Sequence, residues 1–380
     1  MSTHADPRTE YDHQLNSGCP VQRQADGSWL VTGHAEAVAA ATDPEAFSSA
    51  VSRFLQVPNG LDGDEHTRYR RVVDSFMTSQ QVDDLQEDCQ RIADQVVEGL
   101  PRGQRLDIVA DLGAPFAVKT QCHWLGWPSR VEPLLVAWMA DNQRATAARD
   151  DAALAEVAER FDAIVREQVA ARRSGEHPDD VTGQLARATV ETADGGQQPL
   201  DDAEVVSILR NWTAGDLGSL AICLGVLVHS LAVTPELQQE LRGMAADLPA
   251  RRDDFDRAID ELLRIDDPFL SNRRVTTRDV ELGGQQLAAG ERVVLAWTGA
   301  NRDRRVFPDP DRYDPQGHAA RNLVYGIGPH VCPGRALATM ELRVALAALL
   351  RKTTSITLDG TGARNQAPLG GWAEVPVILA

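Results

Sequence analysis

The sequence predicts a mainly α (α+β) fold, a helical bulk with a smaller β portion, and three observations carry that reading. From about residue 66 to 265, apolar residues recur at three-and-four spacing, the period of helices that bury one face. Within that stretch, "AEVVSILRNWTAGDLGSLAICLGVLVHSLA" is apolar on nearly every side, as a helix crossing a core must be. Beyond it, "RRVTTRDVELGGQQLAAGERVVLAW" alternates around a Gly-Gly turn, the pattern of paired strands.

The elements follow in order. "SWLVTG" reads as a strand, and "HAEAVAAATDPEAF" as a helix that ends near Asp43-Pro44. "TRYRRVVDSFMT", "VDDLQEDCQRIADQVVEGL" and "LAEVAERFDAIVREQVAARR" are amphipathic helices. "SGEHPDD" and "ETADGGQQPLDD" are loops, and Thr234-Pro235 ends the long apolar helix. "FDRAIDELLRI" is a further helix. "NRDRRVFPDPDRYDPQGH" is irregular and rich in Pro, Asp and Arg; long structureless segments inside a domain are usually functional. No repeat or linker divides the chain, so 1–380 reads as one domain, with about 1–20 loosely ordered.

Of 380 residues, 56 are acidic and 38 basic, a net charge of −18, which argues against a nucleic-acid partner. No stretch approaches the roughly 20 apolar residues of a membrane span, and the polar N-terminus lacks a signal-peptide core. The expectation is a cytoplasmic protein. The five cysteines, at 19, 89, 122, 223 and 332, are odd in number and widely spaced, which is neither a disulfide framework nor a zinc pattern. Cys89, Cys122 and Cys223 fall in helical patterns and read as small core residues.

Cys332 is different. In "YGIGPHVCPGRA", Pro329 and Pro333 forbid regular structure, while Gly326, Gly328 and Gly334 permit tight turns. "ALATMELRVALAALL" then starts a helix. A cysteine just before a helix N-terminus meets orphan N–H groups that favour a thiolate.

This loop resembles the cysteine-ligand loop of the cytochrome P450 family, the haem-thiolate monooxygenases, with Tyr325 where phenylalanine is more usual. "ELLR" matches the family's Glu-x-x-Arg at Glu261 and Arg264. "FPDPDRYDP" matches the segment whose arginine, here Arg312, joins that pair. "EHTRYRR" matches the haem-carboxylate segment, at His66 and Arg70. Four motifs stand in the family's order, and the resemblance spans about 20–380. It implies haem b, with Cys332 as metal ligand beneath the long helix. His66, Arg70, Arg274 and His330 would hold the haem carboxylates, and Tyr325, Gly326 and Ala214 would border the macrocycle. Arg273 beside Arg274 leaves the strand's facing open, since a one-residue slip reverses it.

The long helix departs from the family. Relatives carry Ala-Gly-x-acid-Thr, an acid–alcohol pair that delivers protons. Here "TAGDLGSLA" puts Leu217 and Gly218 at those positions. Three explanations compete. Asp216 and Ser219, three apart, could form a shifted pair through a bulge at Gly215 and Gly218, with Thr213 as a further alcohol. Water or a substrate hydroxyl could carry the proton instead. Or peroxide could be the oxidant. The segment 47–67 is also shorter than in relatives, which implies a more open pocket, with Trp212, Leu217 and Val57-Pro58 as liners.

The resemblance thus implies a monomeric monooxygenase acting on a small, natural-product-type molecule. A ferredoxin and its NAD(P)H-dependent reductase would supply electrons and dock near Arg70, Arg71, Arg335 and Arg343. A peroxygenase or oxidative-coupling enzyme is the alternative, and a haem sensor or carrier is a further one.

Overall fold

A computed structural model describes residues 6–380, apart from 176, 178 and 368. The helices are α1 (Pro7–Asn16), α2 (His34–Thr42), α3 (Gly63–Asp74), α4 (Ser79–Glu98), α5 (Ala114–Leu125), α6 (Glu132–Ala148), α7 (Asp151–Arg173), α8 (Val181–Ala186), α9 (Asp202–Val233), α10 (Pro235–Ala246), α11 (Leu248–Ile265), α12 (Trp297–Ala300) and α13 (Arg335–Lys352). The mainly α architecture with a smaller β portion is as the sequence predicts.

Local chemistry sets the boundaries. Thr78 with Gln81 caps α4, and Asp201 with Glu204 caps α9, each a reciprocal capping box. Pro235 follows the end of α9 and opens α10. α9 is buried along most of its length. It is long and apolar enough to cross a membrane by length and composition, but 56% of its most apolar window is buried inside the protein. α4, α5, α9 and α13 pack pairwise into a bundle, and α13 contributes the unbroken buried run Leu342–Leu350.

The largest sheet has the strand order Val21–Arg23, Trp29–Val31, Arg292–Ala296, Ser271–Thr276, Phe47–Ser48. Trp29–Val31 and Arg292–Ala296 run parallel, and the other pairs are antiparallel. Pairing of Val293 with Arg274 turns Arg274 inward and leaves Arg273 exposed. That resolves which arginine faces the interior. Gly283 and Gly284, both at positive φ, make the turn between the short strands Val280–Leu282 and Gln285–Leu287.

One expectation fails at the N-terminus. Residues 1–5 lie outside the described residues, but 7–16 form α1 rather than a loose segment. Asp12 on α1 pairs with the buried Arg302 at 2.7 Å, and Asp6 beside it takes Arg8 at 2.6 Å. The Asp12–Arg302 contact spans 290 positions, so no local pattern announces it.

Candidate active site

The loop before α13 is held from three sides. The Cys332 N–H donates to the Tyr325 carbonyl at 2.9 Å. Gly328 sits at φ +79°, and a Cβ there would stand 2.7 Å from the Ala41 carbonyl oxygen. Both facts require glycine. Arg70 on α3 donates from Nη1 to the carbonyls of Pro329 (3.0 Å) and Val331 (2.8 Å), and from Nε to Asp74 (2.6 Å). Arg70 thus ties the loop to α3, and Nη2 remains for a further anion. The Arg335 guanidinium lies over the Tyr325 ring, 5.1 Å from its centroid.

The Cys332 thiol is pushed up by burial and by the Asp216 charge, against a Gly334 backbone hydrogen bond and the charges of Arg70 and Arg335. The sequence expectation was a thiolate favoured by the helix terminus. α13 begins only at Arg335, and desolvation outweighs it.

A buried basic cluster adjoins the loop. The His66 and His330 rings lie 4.2 Å apart between centroids. His330 Nε2 meets Ser49 Oγ at 3.0 Å and Asp62 at 3.5 Å. Burial, with the neighbouring charges of His66 and Arg274, lowers His330 to about 4. Burial and the Arg70 charge lower His66. Arg274 is 7% exposed. Its guanidinium bonds the Arg273 carbonyl at 2.8 Å and has no ion pair among the described residues; burial lowers its affinity for its own proton. Asp62 and Ser49 escaped the sequence reading. Asp62 immediately precedes α3 and accepts from Ser48 Oγ (2.5 Å) and Ser49 N–H (3.0 Å).

Across from the loop, α9 runs as an unbroken α-helix through 213–221, so the bulge expected at Gly215 and Gly218 is absent. Ala214 and Gly215 are exposed on it, and Asp216, Gly218 and Ser219 are half-buried. A Cβ at Gly215 or Gly218 would meet nothing within 4 Å, so this face borders open space. Burial raises the Asp216 carboxyl to about 7. Its Oδ2 is sealed without a hydrogen-bond partner, as is Thr213 Oγ1.

The expected pocket liners lie elsewhere. Leu217 is fully buried, and Trp212 packs against Trp124 and Phe76 with ring centroids 5.1 and 5.6 Å away. Ser207, Arg210 and Asn211 of α9 strap the segment 55–57 to the helix. Ser207 Oγ accepts from Val57 N–H (2.9 Å), Arg210 donates to the Leu55 carbonyl (2.7 Å) and Asn211 to the Val57 carbonyl (3.0 Å).

The Glu261–Arg264 clamp is present but its third member is not Arg312. Arg264 meets Glu261 at 2.8 and 2.9 Å and donates to the carbonyls of Asn301 (2.8 Å), Pro310 (3.0 Å) and Arg312 (3.4 Å). The Arg312 side chain faces outward to Asp314. His318 Nδ1 takes the third place, 2.8 Å from Glu261 Oε1. Among the docking arginines, Arg343 is buried and paired with Asp256 at 2.5 Å, so it offers nothing to a partner. Arg71 and Arg335 are exposed, each against one carboxylate.

The cytochrome P450 family profile matches residues 128–369. Cytochrome P450 GfsF of Streptomyces halstedii is 30% identical over 88% of this chain and 83% of that protein. Cyclomarin C epoxidase CymV of Salinispora arenicola is 30% identical over 87% and 85%. Among solved structures, P450 EryK, a mutant in complex with erythromycin B, superposes with TM-score 0.86 at 26% identity, covering all of this chain and 98% of the other. Ligand-free cytochrome P450 TbtJ1 gives the same TM-score and identity with both chains fully covered. With its cysteine loop, buried basic cluster and long helix in this arrangement, the chain belongs to the cytochrome P450 family of haem-thiolate monooxygenases.

Proposed function

We propose that this monooxygenase inserts one oxygen atom from O2 into a small natural-product molecule, with electrons brought from NAD(P)H by a separate ferredoxin and its reductase. One observation carries the reading: His66, His330 and Arg274 converge with Asp62 as their nearest carboxylate, and the buried Arg274 has no ion pair among the described residues. A buried cation is costly until an anion meets it. The two carboxylates of haem b fit that surplus. The Cys332 sulfur fits as well, because a buried thiol becomes a thiolate when a metal cation faces it.

In this reading Cys332 is the metal ligand, and Tyr325 and Gly326 shape the loop beneath the macrocycle. His66, Arg274, His330 and Arg70 through Nη2 hold the carboxylates. Ala214 and Gly215 bound the oxygen side. Haem, when bound, would supply the dioxygen chemistry, and Cys332 as its thiolate ligand would lend it electron density. The chain's own contribution is to exclude water and to hold a proton at the Asp216 carboxyl, with Ser219 one turn on. Relatives in natural-product biosynthesis support that substrate class. The protein acts as a cytoplasmic monomer with 1–380 as one haem-binding domain.

Gly218 favours a second reading, peroxide-driven oxygenation, because it leaves the usual alcohol position without a hydroxyl. The test compares turnover with reduced ferredoxin against hydrogen peroxide; faster peroxide turnover establishes the second reading. Cys332→Ser must abolish the red-shifted ferrous carbon monoxide band. Asp216→Asn and Ser219→Ala must each uncouple electron consumption from product, and full coupling in both removes them from proton delivery.

A further inference from the structure

The segment 49–62 is tied down at its base and at its far side, and little of it is packed in between. At the base, Asp62 accepts from Ser48 Oγ (2.5 Å) and from the Ser49 N–H (3.0 Å), so the two ends of the segment meet. The same residues touch the basic cluster: Ser49 Oγ lies 3.0 Å from His330 Nε2, and Asp62 lies 3.5 Å from it. From there no residue between 50 and 56 is buried, and Phe54 and Leu55 are 62% and 46% exposed. A groove of about 520 Å³ lies between these two side chains and Val169 of α7 and Val206 of α9. Apolar packing therefore does not hold the stretch down.

Hydrogen bonds from one face of α9 do, since 207, 210 and 211 share the three-and-four spacing of a helix face. The Leu55 carbonyl accepts from Arg210 (2.7 Å) and from Ser207 Oγ (3.1 Å). Val57 and Pro58 are buried, and Val57 is gripped through its N–H by Ser207 and through its carbonyl by Asn211. Arg210 also pairs with Asp162 of α7 at 3.3 Å, so one guanidinium joins the segment, α9 and α7. A stretch with few buried contacts opens locally at low cost.

We propose that residues 50–56 are a flap under which haem itself enters and leaves, with Arg210 as the latch and Val57-Pro58 as the hinge. This rests on the reading that the cluster of His66, Arg274 and His330 holds the haem carboxylates. Lifting the flap draws Ser49 from His330 and opens the edge of the cluster while the helical bundle stays intact. Arg210 is a positioning residue: it lies outside the cluster and acts on haem retention through the Leu55 carbonyl. Arg166 of α7 supplies the contrast. It also pairs with Asp162, at 3.1 Å, but makes no bond to the flap among the described residues.

The experiment compares Arg210→Met with Arg166→Met on the haem-loaded full chain. Two rates are followed: tryptic cleavage after Arg53, which reports flap opening, and haem transfer to an excess of an apo-haem acceptor protein. Arg210→Met should accelerate both roughly tenfold or more, the effect of losing a charged hydrogen bond. Arg166→Met should leave both within about twofold. Transfer should hardly respond to urea below the unfolding transition, because a local opening exposes little surface. Faster cleavage without faster transfer, equal transfer from the two variants, or a steep urea dependence overturns the proposal. If Arg210→Met does not fold, Ser207→Ala decides by the same readouts, since it also removes a bond to the Leu55 carbonyl. The failures are distinguishable. A wild type that takes up no haem sinks the carboxylate-cluster reading, whereas haem held and released at a rate blind to Arg210 sinks the flap alone.

Discussion

Replacing Arg274 with methionine tests the carboxylate-binding cluster most sharply, because its neighbour supplies an internal control. Arg274 faces inward with no ion pair among the described residues, and Arg273, one position earlier, faces solvent. Methionine retains most of the apolar stem and removes the guanidinium. A hydrogen bond to a charged group contributes about 1.5–3 kcal/mol. At 1.4 kcal/mol per decade, one lost carboxylate bond weakens haem retention roughly 10- to 150-fold. Arg273→Met touches no buried group and should change retention by less than about 0.5 kcal/mol, roughly twofold. The assay is the rate and extent of haem transfer from each variant to an excess of an apo-haem acceptor protein. Equal transfer from the two variants, or faster transfer from Arg273→Met, would refute the argument, because the strand register would then not decide which arginine holds the anion.

Three further outcomes follow from the geometry. Gly328→Ala should lower the thermal midpoint and haem content well below Gly326→Ala: both pay the left-handed cost of about 1–2 kcal/mol, but only the first drives a Cβ to 2.7 Å from the Ala41 carbonyl. Gly218→Thr should fold with an unchanged or slightly higher midpoint, since its Cβ meets nothing within 4 Å and a mid-helix glycine is unfavourable by about 1 kcal/mol; a drop of several degrees would show that the face is closed. His229, stacked 3.8 Å from Trp372, is lowered to about 4 by burial, with Arg364 and Arg8 acting against Asp266. A depressed histidine contributes stability above its unfolded value of about 6.5, and that contribution is lost as pH falls from there toward 4. His229→Phe keeps the stacking and should flatten acid unfolding across that window, as followed by circular dichroism.

The helices were legible because their burial is periodic and therefore local, and the cysteine loop because glycine and proline constrain backbone directly. Arg274 became certain only with strand pairing, which no single segment encodes. The clamp shows the limit more clearly. Arg264 grips three backbone carbonyls, and carbonyl positions leave no mark in a side-chain pattern; hence Arg312 was named where His318 stands. Arg343 read as a surface charge because α13 is buried on nearly every side, and its interior arginine resembles an exposed one in sequence.

The anchors of the cysteine loop lie far upstream: Arg70 is 259 positions before Pro329, and Ser49 is 281 before His330. During synthesis, both anchors leave the ribosome long before the sulfur does. Pigment capture must therefore come near the end of translation, and a nascent polypeptide halted short of Cys332 would stay colourless however well its early helices had formed. Closing so large a span is slow, which makes the final stage of biogenesis the one most exposed to aggregation.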